Sequence, residues 1–182
     1  GLGHAILTAR DIVGDEPFAV FLPDDIFDAK VPLIKQMLEV YRRYQGSVIA
    51  LCRVGPEGTR RFGIIKPRQV EERVYQIMDM VEKPGPEHAP SDLAILGRYI
   101  LTPEIFEMLR VTPPGKGGEI QLTDGLALLL KQQAVYGYEF EGAYYDAGKP
   151  LGLLKASVAL GLKHPEMGAE FREYLQGLVA DL

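Results

Sequence analysis

Apolar and polar positions follow two rhythms along the chain: short continuous apolar runs, and longer stretches with an apolar residue every three or four positions. The first run, Phe18-Ala19-Val20-Phe21-Leu22, lies between Gly14-Asp15-Glu16-Pro17 and Pro23-Asp24-Asp25. Continuous apolarity between turn signals predicts a strand buried on both faces of a parallel sheet. Residues 47–54 predict a second buried strand, and 93–101 return to a strand. Residues 3–10 read as the tail of a helix. Pro32 opens another, with Ile34, Met37, Leu38 and Tyr41 on one face. A proline at the first helical position forfeits only a hydrogen bond that would go unmade.

Residues 55–92 break the alternation. Gly55-Pro56-Glu57-Gly58 predicts a loop, residues 62–65 and 74–77 two short strands of an antiparallel excursion, and residues 85–90 a proline-stiffened loop. Thr102-Pro103-Glu104 starts a helix with a capping hydroxyl, a proline and an acid. After a stiff loop at 113–118, residues 119–133 predict a helix with Leu122, Leu126, Leu129 and Leu130 toward the core. Strands at 135–140 and 143–145 lead to Asp146-Ala147-Gly148, and helices at about 150–162 and 166–178 flank His164-Pro165. Strands and helices in alternation predict an α/β layer architecture.

Composition narrows the class. The 182 residues suffice for one good-sized domain, and 47% hydrophobic with 25% charged residues is ordinary for a globular protein. With Lys+Arg 20 against Asp+Glu 25, the net charge of -5 argues against nucleic acid or anionic lipid as a partner. A small phosphate ligand in a locally basic pocket remains compatible. Cys52 is the only cysteine, which excludes an internal disulfide and a multi-cysteine zinc site. No apolar run approaches the roughly 18 residues of a membrane span. Gly1-Leu2-Gly3-His4 brings no initiator Met, basic leader or cleavage-site pattern, so an interior segment of a longer protein is expected.

Candidate chemistry gathers at strand ends. Asp24 and Asp25 follow an apolar strand directly, where open α/β sheets bind ligands and a carboxylate can hold Mg²⁺ beside a phosphate. Taken alone, Pro-Asp-Asp reads first as turn chemistry with no ligand at all. Asp146 also ends a strand, before the small residues Ala147 and Gly148; the alternative is a helix cap ahead of Pro150. Two acids closing strands of one sheet can converge to neutralise reacting phosphates through a shared metal. Glu82-Lys83 offers an acceptor for sugar hydroxyls and a point charge for a phosphate, or simply a solvated ion pair. Gly1-Leu2-Gly3 allows close approach to a helix start, and the segment from Gly117 to Asp124 is either a cleft-facing polar patch or an acidic first turn.

Taken in order, these segments resemble one family. The series Gly1-Leu2-Gly3-His4-Ala5, Phe21-Leu22-Pro23-Asp24-Asp25, Phe62-Gly63-Ile64, Val81-Glu82-Lys83-Pro84, Gly97-Arg98-Tyr99, Thr102-Pro103-Glu104-Ile105-Phe106, Gly117-Gly118-Glu119-Ile120-Gln121-Leu122-Thr123-Asp124 and Tyr145-Asp146-Ala147-Gly148 resembles the bacterial UTP–glucose-1-phosphate uridylyltransferases, or UDP-glucose pyrophosphorylases. The resemblance spans essentially the whole chain. It implies a Rossmann-like mixed sheet of the nucleotide-sugar transferase type with its N-terminal part missing. Residues 1–182 would form one incomplete domain, with a helical segment from about 150. It implies a cytoplasmic enzyme that makes UDP-glucose and pyrophosphate from UTP and glucose 1-phosphate with Mg²⁺, as a homo-dimer or homo-tetramer. Asp24 and Asp146 would be the metal ligands and act in catalysis with Lys83. Gly1 would lie against the uracil, Gly63, Glu82 and Lys83 would hold glucose 1-phosphate, and Glu119 and Gln121 would stand near the cleft.

The family's glycine-rich phosphate loop, with its basic residues, is absent from this chain. The expectation is therefore that these residues alone do not make a competent enzyme, and that the strand at 18–22 lacks partners at one edge. Two other readings stand beside this one: a sugar-1-phosphate nucleotidyltransferase of another base or sugar, such as thymidylyl transfer, and a non-catalytic sugar-nucleotide-binding regulatory subunit. A dinucleotide-binding dehydrogenase domain is disfavoured by the missing glycine fingerprint and by the excursion at 55–92.

Overall fold

A computed structural model describes residues 1–180. Along the chain run α1 (Leu2–Leu7), α2 (Arg10–Val13), β1 (Phe18–Phe21), β2 (Asp25–Asp28), α3 (Leu33–Tyr44), β3 (Val48–Arg53), β4 (Gly63–Glu71), β5 (Val74–Glu82), β6 (Leu93–Leu101), α4 (Ile105–Val111), α5 (Leu122–Leu129), β7 (Tyr136–Glu139), β8 (Ala143–Asp146), α6 (Pro150–Gly161) and α7 (Gly168–Ala180). They fall into two compact units, 1–21 with 33–141, and 22–32 with 142–182.

The first unit is built on a six-stranded mixed sheet in the order β1-β6-β3-β7-β5-β4. Strand β3 runs antiparallel to β6 and parallel to β7. Its side chains alternate between two cores, as the period of a strand requires. Ile49 and Leu51 join Leu93, Ile95, Tyr99 and Leu101 of β6 in a cluster with Ile6, Phe106, Leu109, Leu122, Leu126 and Leu129 from α1, α4 and α5. Val48, Ala50 and Ile100 are buried at the intervening positions, and α3, which packs on β3 and β6, buries Leu33, Met37 and Val40.

Several expectations shift. Strand β1 is not buried on both faces: it is an edge strand, antiparallel to β6, with half-buried and exposed residues alternating. A five-residue apolar run cannot by itself distinguish a central from an edge strand. The excursion at 55–92 is longer than expected, because β4 and β5 span 9 residues each and form one antiparallel hairpin of the main sheet. Ile64 of β4 also pairs with Ala94 of β6; Pro67 sits farther along β4, where the register with β5 shifts and a proline is tolerated. Residues 56–60 are a short 3-10 helix rather than an open loop. Helix α3 buries Leu33, Met37 and Val40, while Ile34, Leu38 and Tyr41 stay half-exposed. The Thr102 hydroxyl does not cap α4; it accepts from Gln133 Nε2 at 2.7 Å, and the Thr102 N–H donates to buried Ser47 Oγ at 3.0 Å.

The second unit holds a two-stranded ribbon, β2 antiparallel to β8, and the helices α6 and α7. Asp24 and Asp146 therefore do not close strands of one common sheet. The four-residue strands Asp25–Asp28 and Ala143–Asp146 are half polar and carry no period that announces their pairing. The helical segment expected from about 150 lies in this unit, and its residues 181 and 182 lie outside the described residues. Among the described residues no helix is long and apolar enough to cross a membrane.

Candidate active site

In the first unit the candidate residues collect where the β4–β5 hairpin ends and α5 begins. Gly63 opens β4, Glu82 closes β5, and the two are cross-strand partners. A Cβ on Gly63 would stand 3.2 Å from Glu82 Oε2 and 3.4 Å from Thr123 Oγ1, so glycine leaves both groups their places. Thr123 Oγ1 donates to Glu82 Oε2 at 2.8 Å, and Lys83 Nζ lies 3.1 Å from Glu82 Oε1. Successive residues of a strand point to opposite faces, so adjacent Glu82 and Lys83 would ordinarily diverge. Lys83 instead takes φ +47° with its N–H donating to Phe62 O at 3.2 Å, and its ammonium returns to the carboxylate. A left-handed non-glycine residue costs on the order of 1 kcal/mol and is commonest where a site demands it. Glu82 is the more covered partner, 23% exposed against 46% for Lys83, which leaves the ammonium open to a ligand. Burial first, and then the Glu82 carboxylate, raise the Asp124 carboxyl above its ordinary value.

Beside this cluster, Gly1 packs on Glu119: a Cβ there would stand 2.8 Å from Glu119 Cβ and 2.9 Å from its Oε2. Gly3 N–H, one of the donors a helix start leaves unmade, donates to Ile120 O at 3.0 Å, and Gly115 N–H to Glu119 O at 2.8 Å. These bonds hold the chain extended before α5, which starts at Leu122 with Gln121 as N-cap, later than the sequence predicts. The polar segment is thus mostly a lead-in rather than a first turn.

In the second unit Asp25 and Asp146 are cross-strand partners. Ala147 N–H donates to Asp24 O at 2.8 Å, which brings the residue before β2 alongside the end of β8. Tyr144 Oη donates to Asp25 Oδ1 at 2.7 Å and engages that carboxylate elsewhere. A Cβ on Gly148 would stand 2.7 Å from Asp24 Oδ2 and 3.2 Å from Asp146 Oδ1, so one oxygen of each acid reaches the same small space. Lys149 Nζ lies 3.9 Å from Asp146 Oδ2, and Lys149 rather than Asp146 is the N-cap of α6. Among the described residues no group of three or more His, Cys, Asp or Glu gathers. Mg²⁺ commonly takes one or two carboxylates from protein, with phosphate and water filling the rest of its shell, and these two acids fit that donor set.

Of the residues singled out by sequence, the structure brings together Gly63, Glu82 and Lys83, separately Gly1 with Glu119, and separately Asp24 with Asp146. Sequence reasoning misses Thr123, as the partner of Glu82, and Tyr144: a helix start accounts fully for the polar segment that contains Thr123, and Tyr144 reads as one more strand aromatic.

Comparison with known proteins sets these clusters in context. A nucleotidyl transferase family profile matches residues 1–161, which span parts of both units. The chain is 46% identical over 178 residues to a UTP–glucose-1-phosphate uridylyltransferase of Staphylococcus epidermidis, covering 98% of this chain and 62% of that protein. Among solved structures it is similar to a UDP-glucose pyrophosphorylase complexed with UDP-glucose, at TM-score 0.87 and 48% identity over 90% of this chain and 63% of that one. A UTP-bound enzyme of the same kind from Acinetobacter baumannii gives TM-score 0.86 and 36% identity, over 97% of this chain and 61% of that one. The chain thus spans somewhat less than two thirds of the length of these relatives.

Proposed function

The chain belongs to the nucleotidyl transferase family, and from that premise we propose that it serves the transfer of a uridylyl group from UTP to glucose 1-phosphate, giving UDP-glucose and pyrophosphate. Relatives that carry the name of this activity or hold UDP-glucose or UTP support the choice of substrates. The observation that carries the reading is the meeting of Asp24 Oδ2 and Asp146 Oδ1 beside Gly148. We assign these two acids to a Mg²⁺ ion, which when bound would supply charge neutralisation for the reacting phosphates.

In the first unit, Lys83 is assigned to the phosphate of the sugar and Glu82 to its hydroxyls, while Gly63 keeps the backbone close. A phosphate oxygen of glucose 1-phosphate attacks the α-phosphorus of UTP, the new P–O bond forms, and pyrophosphate leaves with the electrons of the broken one. The nucleophile is already an anion, so no side chain need remove a proton. The work of Lys83 is to suppress repulsion between two anions and to align them. Gly1 is assigned to the uracil, where a bare backbone admits a flat ring.

The test measures pyrophosphate release by the complete protein that carries this chain. Asp24→Asn and Asp146→Asn should each lower kcat by about a hundredfold or more, and each should weaken Mn²⁺ binding measured by calorimetry. Lys83→Ala should raise the KM for glucose 1-phosphate more than that for UTP. Activity retained in Asp24→Asn with Mn²⁺ binding intact would overturn the metal assignment. Faster turnover with dTTP or galactose 1-phosphate would overturn the substrate assignment.

A further inference from the structure

The environment of Glu82 carries a second step. We infer that Thr123 is a positioning residue for the sugar half of the reaction: its hydroxyl fixes the Glu82 carboxylate in the orientation that offers its remaining lone pairs to neighbouring hydroxyls of the hexose. The inference rests on the assignment of Glu82 to the sugar made above.

An ionised carboxylate only accepts hydrogen bonds, at about four lone-pair positions over its two oxygens. In the short contact between them Thr123 must therefore be the donor, and it spends its only proton on Glu82 Oε2 at 2.8 Å. Lys83 Nζ occupies Oε1 at 3.1 Å. Each oxygen keeps one further position, a pair spaced for hydroxyls on adjacent carbons. Thr123 itself has no proton left for a substrate, so its contribution passes through Glu82.

The holder is more rigid than the group it holds. Thr123 is the second residue of α5, between buried Leu122 and the buried pair Gly125 and Leu126. Its branched Cβ further restricts the hydroxyl. Glu82, by contrast, ends a strand and has three side-chain torsions, whose freezing on sugar binding would cost rotamer entropy if they were free beforehand. Gly63 leaves room for this pair: a Cβ there would stand 3.2 Å from Glu82 Oε2, 3.2 Å from Ile95 Cδ1 and 3.4 Å from Thr123 Oγ1, so any larger residue would crowd the contact that Thr123 makes. A group fixed before the ligand arrives adds affinity in the ground state and transition state alike, which appears in KM rather than kcat.

The experiment uses the complete protein carrying this chain and reads KM and kcat for each substrate. Thr123→Val, which keeps the shape and removes the donor, should raise the KM for glucose 1-phosphate about tenfold. The KM for UTP and kcat should stay within about twofold of the parent. Thr123→Ser, which restores the donor, should recover most of the loss. In a Glu82→Ala background Thr123→Val should add less than about a twofold further change, because nothing is left to position. Discrimination between glucose 1-phosphate and its monodeoxy analogues should shrink in Thr123→Val as it does in Glu82→Ala. If Glu82→Ala leaves the KM for the sugar unchanged, the sugar assignment of Glu82 fails and the inference with it. If Glu82→Ala raises that KM and Thr123→Val does not, the inference alone fails. A Thr123→Val effect that falls equally on both substrates, persists without Glu82, or is not rescued by serine marks a structural role and overturns it.

Discussion

Replacing Gly148 by alanine adds one methyl group at the point where Asp24 and Asp146 meet. The new Cβ would stand 2.7 Å from Asp24 Oδ2. Non-bonded heavy atoms rest about 3.5 Å apart, so that oxygen must retreat by roughly 0.8 Å. The retreating atom is the end of a rotatable side chain, and the backbone of Gly148 is not among those in the left-handed region. Turning a side chain about 30° from its rotamer costs about 0.5–1.5 kcal/mol. For a folded unit of about 150–250 residues that lowers the Tm by no more than about 6 °C. Metal ligands tolerate displacements of only about 0.2 Å, so the same shift should weaken divalent-ion binding about 10- to 100-fold. Calorimetric titration with Mn²⁺, with and without UTP, reads the affinity directly, and a thermal melt reads the stability. Mn²⁺ affinity equal to the parent's would refute the reasoning that one ion sits between these two acids.

Gly152→Ala should behave very differently, because its Cβ would stand 1.8 Å from the backbone oxygen of Asp146; no side-chain rotation relieves that clash, and a loss of about 3 kcal/mol is expected in urea denaturation. A loss below about 1 kcal/mol would show that β8 and the start of α6 are not packed this closely. Asp124→Asn should raise stability at neutral pH. The native-state carboxyl titrates above its unfolded counterpart, so its favourable contribution is complete below the unfolded pKa and is lost as pH rises through the folded one. The gap between variant and parent should therefore close as the solution is acidified below the carboxylate range, and a gap independent of pH would contradict the assigned cause.

Much of the fold could be read from particular residues. β6 spans 93–101 as expected, because nine residues without a charge except Arg98 are framed by Ser91-Asp92 and Thr102-Pro103. The start of α5 could not be read: Glu119-Ile120-Gln121 continues a helical rhythm, but backbone bonds from Gly115 and Gly3 hold it extended. Local preference of a few tenths of a kcal/mol per residue yields to such tertiary hydrogen bonds. Asp24 and Asp146 could be paired on paper because each stood at a strand end. The means of pairing could not, since it is a ribbon of eight residues with little periodic signal. Thr123 illustrates the remaining gap. A hydroxyl that orients another side chain leaves no mark in the local sequence, and only the approach of α5 to the end of β5, 41 positions earlier in the chain, gives it meaning.

The placement of β3 between β6 and β7 also sets an order of events as the chain is synthesised. Its apolar residues Val48, Ile49, Ala50 and Leu51 emerge long before either neighbour, whose first residues are Leu93 and Tyr136. The β4–β5 hairpin, turned by Glu72 and Arg73, closes on its own within about 10 μs of being made. The centre of the sheet waits for distant segments, and pairing across such separations is slow. A nascent chain halted between residues 54 and 135 thus presents an adhesive, unfinished strand, the kind of surface on which holding chaperones act.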